Sequence, residues 1–324
     1  MTDIRTYISV LALIGGFIYL LMGADLLVRG AVALARRARV PPIVVALTVV
    51  ALGTSLPELV VSIQAALSGY PGIALGNVVG SNIANILLVG GTAAIIYPLA
   101  HPGGSIKRDT AVMTLASLVL FFFCVTSGLN RTSGAILLVG LLAIMFPALQ
   151  DAAKAHYETE GTAPMEMILG LPSRRRVIFL FLIAGLIGLP VGARLVVDAT
   201  VEIALAMGLS EAVVGLTIIA FSTSLPEMAT TVVAARRKET GVAMGTLVGS
   251  NIFNILAIMG LSAVLAPSGI EVPPLLPFFD LPVMLAAALF VTVLAWRGLP
   301  LGRRAGMVLS AGYLVYICAL LLLA

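Results

Sequence analysis

One polar string occurs twice in this chain, and the duplication dictates its architecture. Thr54-Ser55-Leu56-Pro57-Glu58 returns 169 residues later as Thr223-Ser224-Leu225-Pro226-Glu227. Gly80-Ser81-Asn82-Ile83 returns as Gly249-Ser250-Asn251-Ile252, and Asn85-Ile86-Leu87 as Asn254-Ile255-Leu256. Between 54 and 87, 18 of 34 positions are identical without a gap, which apolar bias alone does not give. The offset persists upstream, where Gly23-Ala24 answers Gly192-Ala193 and Leu47-Thr48 answers Leu216-Thr217. Two halves built on one pattern must fold alike.

The medium in which they fold follows from composition. Of 324 residues, 60% are hydrophobic and 10% charged, whereas a soluble domain carries roughly a quarter charged. The apolar residues come in runs long enough for spans of about 20 residues. About ten spans are predicted, near 7–28, 41–67, 73–97, 110–127, 132–149, 177–205, 211–235, 242–266, 277–296 and 304–323. The first run is too long for a removable signal peptide and no cleavage site follows it. A charged segment with Pro164 and Pro172 separates a first five-helix repeat (1–150) from a second (177–324), with a loop at 151–176.

Charges orient these spans. Alternate loops carry Arg36, Arg37 and Arg39; Lys107 and Arg108; Lys154 and Arg174 to Arg176; Arg236, Arg237 and Lys238; and Arg297, Arg303 and Arg304. The opposite side holds only Arg5 and Arg131. The positive-inside rule puts the central loop in the cytoplasm and both termini outside. It also accounts for the net charge of +4, so nucleic acid is not an expected partner; lipid and inorganic cations are. Five spans per half is an odd number, so the halves insert in opposite directions. The expected fold is an all-α integral membrane protein of two inverted five-helix repeats, the architecture of secondary transporters that bind substrate near midplane on broken helices.

Glu58 and Glu227 fall near the middle of their spans, where a charge costs several kcal/mol. No Lys, Arg or His is expected at that depth, so the pair suggests a site for an external cation. Residues three and four apart share a helix face, which aligns Thr54, Ser55, Glu58 and Ser62, and likewise Thr223, Ser224, Glu227 and Thr231. On the next span of each half, Ser81 pairs with Asn85 and Ser250 with Asn254. Carboxylates, hydroxyls and amides suit hard cations such as Ca²⁺ and Na⁺, and imidazole or thiolate is missing from the set. Pro57 cannot bond the carbonyl of Gly53, nor Pro226 that of Ser222, which frees backbone oxygens. Ser55-x-x-Glu58 and Ser224-x-x-Glu227 also have capping-box spacing, compatible with a helix starting at midplane.

Other features read as structural. Gly76-x-x-x-Gly80 and Gly245-x-x-x-Gly249 suggest close helix packing. Asn82 and Asn251 suit either ion ligation or interhelical hydrogen bonding. Asp25 with Arg29, and Arg194 with Asp198, read as snorkelling pairs near the interfaces, with gating as the lesser reading. Cys124 and Cys318 read as buried small hydrophobes, His101 and His156 as solvated loop residues, and Trp296 as an interfacial anchor. An intramembrane enzyme is disfavoured: serine chemistry needs a base, and neither histidine lies at depth. Matched broken helices favour a carrier over a channel. No cofactor is expected beyond the transported ions.

The Gly-Thr-Ser-Leu-Pro-Glu and Gly-Ser-Asn-Ile-x-Asn strings resemble the two alpha-repeats, here near 53–87 and 222–256, of the cation/calcium antiporter superfamily, in its prokaryotic sodium/calcium exchanger branch. The resemblance implies antiport of Ca²⁺ against Na⁺ by alternating access. It implies ion ligands at Thr54, Ser55, Glu58, Ser81, Asn85, Thr223, Ser224, Glu227, Ser250 and Asn254, and first and sixth spans that move as a gate. Some exchangers carry aspartate at one of the positions held here by Asn85 and Asn254. Proton-coupled members tend to have Asn-Ala-Thr-Glu-like strings, which favours Na⁺ as coupling ion here; proton-coupled or K⁺-dependent exchange is the alternative. The compact loops suggest a prokaryotic plasma membrane.

Overall fold

A computed structural model describes residues 2–38, 40–67, 71–100, 105–126, 128–158, 171–206, 223–274 and 276–323. The chain runs through α1 (Thr2–Ala38), α2 (Pro42–Thr54), α3 (Leu56–Leu67), α4 (Pro71–Ile96), α5 (Ser105–Val125) and α6 (Arg131–Glu158) in its first part. It continues through α7 (Arg175–Ala206), α8 (Leu225–Arg236), α9 (Thr240–Leu265), α10 (Asp280–Trp296) and α11 (Arg303–Leu323). Among the described residues the only extended pairings are two isolated bridges, Leu99 with Leu301 and Leu129 with Ile270. The protein is an all-α, multi-pass integral membrane protein.

Among the described residues, five helical segments are long and apolar enough to cross a bilayer: Ile8–Ala38, Pro71–Ile96, Ile106–Val125, Arg175–Val196 and Thr240–Leu265. The pair α2 and α3, bent by 46°, makes a sixth, and Arg131–Met145 and Asp280–Trp296 are shorter apolar helices. Helix α1 outruns its expected span, continuing to Ala38 past Arg29, because no proline or glycine cluster stops it. Helix α6 likewise runs to Glu158, so the first eight residues of the expected 151–176 loop are helical. The expected span at 211–235 lies outside the described residues up to 222.

Two helices form the centre. The apolar windows of α4 and α9 are 72% and 83% buried within the molecule, against 28% and 39% for α1 and α7. Helix α1 packs along its length on α7 and touches the remaining helices far less. Small residues permit that approach. A Cβ on Gly16 would strike the backbone of Val196, one on Gly23 that of Leu189, and one on Gly30 that of Leu182. Numbers rise on one helix as they fall on the other, so α1 and α7 run antiparallel. Gly16 and Gly23 correspond by the 169 offset to Gly185 and Gly192, which are just as tightly enclosed.

The same exchange joins the outer helices. Gly91 on α4 meets Gly306 on α11, and Gly260 on α9 meets Gly134 on α6. Gly245 and Gly249 seat α9 on Ala46 and Ala51 of α2, the packing expected of that motif. Gly76 and Gly80 depart from expectation: among the described residues nothing lies within 4 Å of a Cβ built on either. The offset matches α2 to 211–223, of which all but Thr223 lie outside the description.

Candidate functional site

The site begins with a broken helix. Helix α2 ends at Thr54, Ser55 takes φ −85° and ψ 8°, and α3 starts at Leu56. Ser224 repeats that conformation, φ −86° and ψ 3°, before α8. Pro57 and Pro226 are the second residues of the new helices, where a missing N–H costs nothing and the fixed φ suits the first turn. Glu58 and Glu227 are therefore third residues, in the turn whose exposed N–H groups favour negative charge.

Both carboxylates are buried, Glu58 at 0% and Glu227 at 1% exposure. Ser55 Oγ donates to Glu227 Oε1 at 2.9 Å, joining one half to the other. Thr54 Oγ1 donates to the Ala51 carbonyl at 3.3 Å, and among the described residues Ser250 Oγ completes no hydrogen bond. Ser55 stands three residues before Glu58, so its bond holds Glu227 beside the turn that carries Glu58. Among the described residues neither carboxylate joins an ion pair.

Helices α4 and α9 complete the surroundings. Ser81 and Asn85, like Ser250 and Asn254, are buried. Asn85 opens a π-helical turn, Asn85–Gly90, and Asn254 opens its equivalent, Asn254–Met259. Such turns recur at functional sites because they displace side chains from the regular helical face. The pairing is crossed: α3 packs on the π turn of α9, and α8 on the π turn of α4. Thr223 stands apart, half-buried, on the wall of a 450 Å³ cavity that it shares with Pro57, Pro190, Arg194 and Pro226.

Among the described residues, many polar atoms here have no protein partner. Both Glu58 oxygens, Glu227 Oε2, Ser81 Oγ, Ser224 Oγ, Ser250 Oγ and both amide atoms of Asn85 and Asn254 are buried without hydrogen bonds. Each such group costs about 1–3 kcal/mol unless something satisfies it. Oxygen donors around two uncompensated carboxylates fit a hard cation as substrate. Among the described residues no three His, Cys, Asp or Glu side chains come together.

Several expectations need revision. Ser224 sits at the helix start but makes no side-chain cap, and the Ser55 hydroxyl points across to Glu227, so no capping box closes at Ser224. Asn82 and Asn251 spend their amide N–H on their own helices, at Val78 and Leu247 carbonyls 2.7 Å away. Neither crosses between helices by that bond. Asp25 pairs with Arg29 at 2.8 Å, yet also accepts from Arg237 Nε at 2.6 Å, so it ties α1 to the turn after α8. Burial raises the nearby Glu239 carboxyl above its ordinary pKa, against the pull of Arg36 and Arg237. Arg194 and Asp198 are the exposed pair expected, at 3.6 Å. Cys124 is buried, but Cys318 is exposed, because it faces outward on the peripheral α11. Trp296 is exposed and donates to the Lys107 carbonyl. His101 lies outside the described residues.

Asn77 was missed by the sequence reading. Its amide donates to Ser62 Oγ at 2.9 Å and to the Glu58 carbonyl at 3.3 Å, and accepts from Thr223 Oγ1 at 3.5 Å. The available signal was its place one helical turn before Ser81.

The sodium/calcium exchanger protein family matches residues 8–149 and 177–322. The inner membrane protein YrbG of Escherichia coli is 37% identical over 95% of both chains. The sodium/calcium exchanger MaX1 of Methanosarcina acetivorans is 31% identical over 97% of this chain and 98% of its own. The solved structure of the sodium-calcium exchanger NCX_Mj soaked with Na⁺ and Ca²⁺ superposes with a TM-score of 0.81, at 32% identity, covering 97% of this chain and 98% of that one.

Proposed function

The chain belongs to the sodium/calcium exchanger protein family, and we propose that it moves Ca²⁺ and Na⁺ in opposite directions through a site centred on Glu58 and Glu227. One observation carries this reading: two buried carboxylates from equivalent places in the halves, linked through Ser55 and, among the described residues, without a protein cation, amid hydroxyl and amide oxygens that lack partners. Ligands are assigned to Thr54, Ser55, Glu58, Ser81 and Asn85 of one half and to Thr223, Ser224, Glu227, Ser250 and Asn254 of the other.

The halves, 1–150 and 177–324 about the loop 151–176, are assigned opposite orientations, with that loop cytoplasmic and both termini outside. The antiparallel run of α1 against α7 and the alternation of loop arginines support it. The bilayer is assigned to the prokaryotic inner membrane.

Coupling follows from charge. The two carboxylates neutralise one Ca²⁺ or are satisfied by Na⁺ ions in its place, and the centre does not hold both loads in full. With neither, the buried charges repel, and rearrangement through a low-dielectric barrier is opposed. Each ion thus crosses only in exchange for the other.

The test is ⁴⁵Ca²⁺ uptake into proteoliposomes preloaded with Na⁺, against vesicles holding K⁺ or choline. Uptake driven by outward Na⁺ is expected, and Glu58→Gln or Glu227→Gln should lower it by about 100-fold or more while the protein remains folded. Uptake indifferent to internal Na⁺ overturns the antiport reading; uptake retained by both variants overturns the site.

A further inference from the structure

The two halves match closely around the site, but not at residue 77. The offset places Thr246 opposite Asn77, within a stretch otherwise preserved as Gly-x-x-Val-Gly-Ser-Asn. Thr246 is fully buried and, among the described residues, its hydroxyl has no hydrogen-bond partner. Asn77 is half-buried and its amide is fully engaged on two sides. The first half therefore carries a bridge that the second lacks.

The geometry of that bridge is specific. The donor end reaches α3, to the carbonyl of Glu58 itself and to Ser62 one turn on. The acceptor end receives Thr223, the residue just before Ser224 in the other half. Asn77 lies four and eight residues before Ser81 and Asn85, so all three share a face of α4. A single planar amide thus fixes the distance between the α3 backbone and the approach to α8. An aspartate would keep the acceptor and lose the donor; a threonine, as at 246, is one bond shorter and offers a single hydroxyl.

Resting on the site assignment above, we propose that Asn77 is a positioning residue that sets the spacing between the two halves of the cation site and so the preference for Ca²⁺ over Na⁺. Ca²⁺ takes six to eight oxygens at about 2.3–2.6 Å from a site of defined size. Na⁺ brings half the charge per ion, so a wider, looser arrangement weakens the divalent ion more. The residue acts through Glu58 and Thr223 and touches no ion itself.

The experiment is Na⁺-driven ⁴⁵Ca²⁺ uptake by Asn77→Ala, Asn77→Thr and Thr223→Val in proteoliposomes, with KM for Ca²⁺, inhibition constant for external Na⁺ and maximal rate measured separately. Losing one or two such hydrogen bonds corresponds to about a 5- to 20-fold change in an equilibrium constant. Asn77→Ala is expected to raise KM for Ca²⁺ by about that factor and the Na⁺ constant by clearly less. Asn77→Thr should shift the ratio in the same direction by a smaller factor. Thr223→Val in the Asn77→Ala background should add less than it does alone, because the two share a bond. Equal changes in both ion constants, unchanged constants, or a fall in maximal rate alone would each overturn the proposal. Should Asn77→Ala fail to assemble, Asn77→Thr decides it by the same ratio. Wild-type protein with no Na⁺-driven uptake would instead overturn the antiport reading, so the two failures are distinguishable.

Discussion

Ser55 and Ser224 occupy equivalent positions and do different things. Ser55 donates to Glu227 at 2.9 Å, whereas the Ser224 hydroxyl is buried without a partner among the described residues. A hydrogen bond to an ionised carboxylate contributes about 1.5–3 kcal/mol. Ser55→Ala is accordingly expected to disturb Glu227 in this conformation and to weaken Ca²⁺ by about tenfold or more, read as KM for ⁴⁵Ca²⁺. Most of this chemistry is legible in the sequence, because a membrane tolerates so few polar residues that each one in a span stands out. The pairing is not legible: spacing along a helix aligns Ser55 with Glu58, and only the crossed packing brings Ser55 to Glu227. Asn77 is not legible in the duplicated strings, because they mark what the halves share and residue 77 is where they differ.

Among the elements, the antiparallel pair α1 and α7 depends most on small residues. A Cβ on Gly192 would lie 2.6 Å from the Leu20 nitrogen, which is backbone and cannot move aside. Gly192→Ala should therefore destabilise by about 1–3 kcal/mol, seen as a lower Tm in detergent. Gly15→Ala, on the same pair but with nothing within 4 Å, should leave Tm unchanged or slightly raised, because alanine is the better helix former. Equal effects of the two would refute this account of the interface. The sequence indicates the heptad of glycines at 16, 23 and 30 but does not name their partner, since helix pairing is a tertiary fact. Nor does it announce the π turns at Asn85 and Asn254, whose extra residue per turn leaves no compositional mark.

For the whole molecule, cargo and stability are linked. A ligand that binds the folded state at about 100 times its Kd stabilises by about 2.7 kcal/mol. Ca²⁺ should raise the Tm of the detergent-solubilised protein in a concentration-dependent way. In a Glu58→Gln, Glu227→Gln double variant it should not, while the Tm without Ca²⁺ should be no lower than wild type, because two buried charges that repel have been removed. A double variant that still responds to Ca²⁺ would place the main binding site elsewhere. At this scale the class of fold was readable from composition and duplication. Helix ends were not: α1 and α6 continue beyond the apolar stretch because their polar extensions are good helix formers.

The unequal serines carry one more implication. A chain of two like halves that adopts an unlike arrangement of them owns, by relabelling, a second arrangement of comparable energy, in which Ser224 donates to Glu58 and Ser55 is left bare. The present geometry would then serve as a drawing of its own opposite, legible by trading each residue for its counterpart 169 places away. Only positions such as Asn77 and Thr246, where the counterparts differ, would spoil the likeness, and those positions would decide how long the protein dwells on each side.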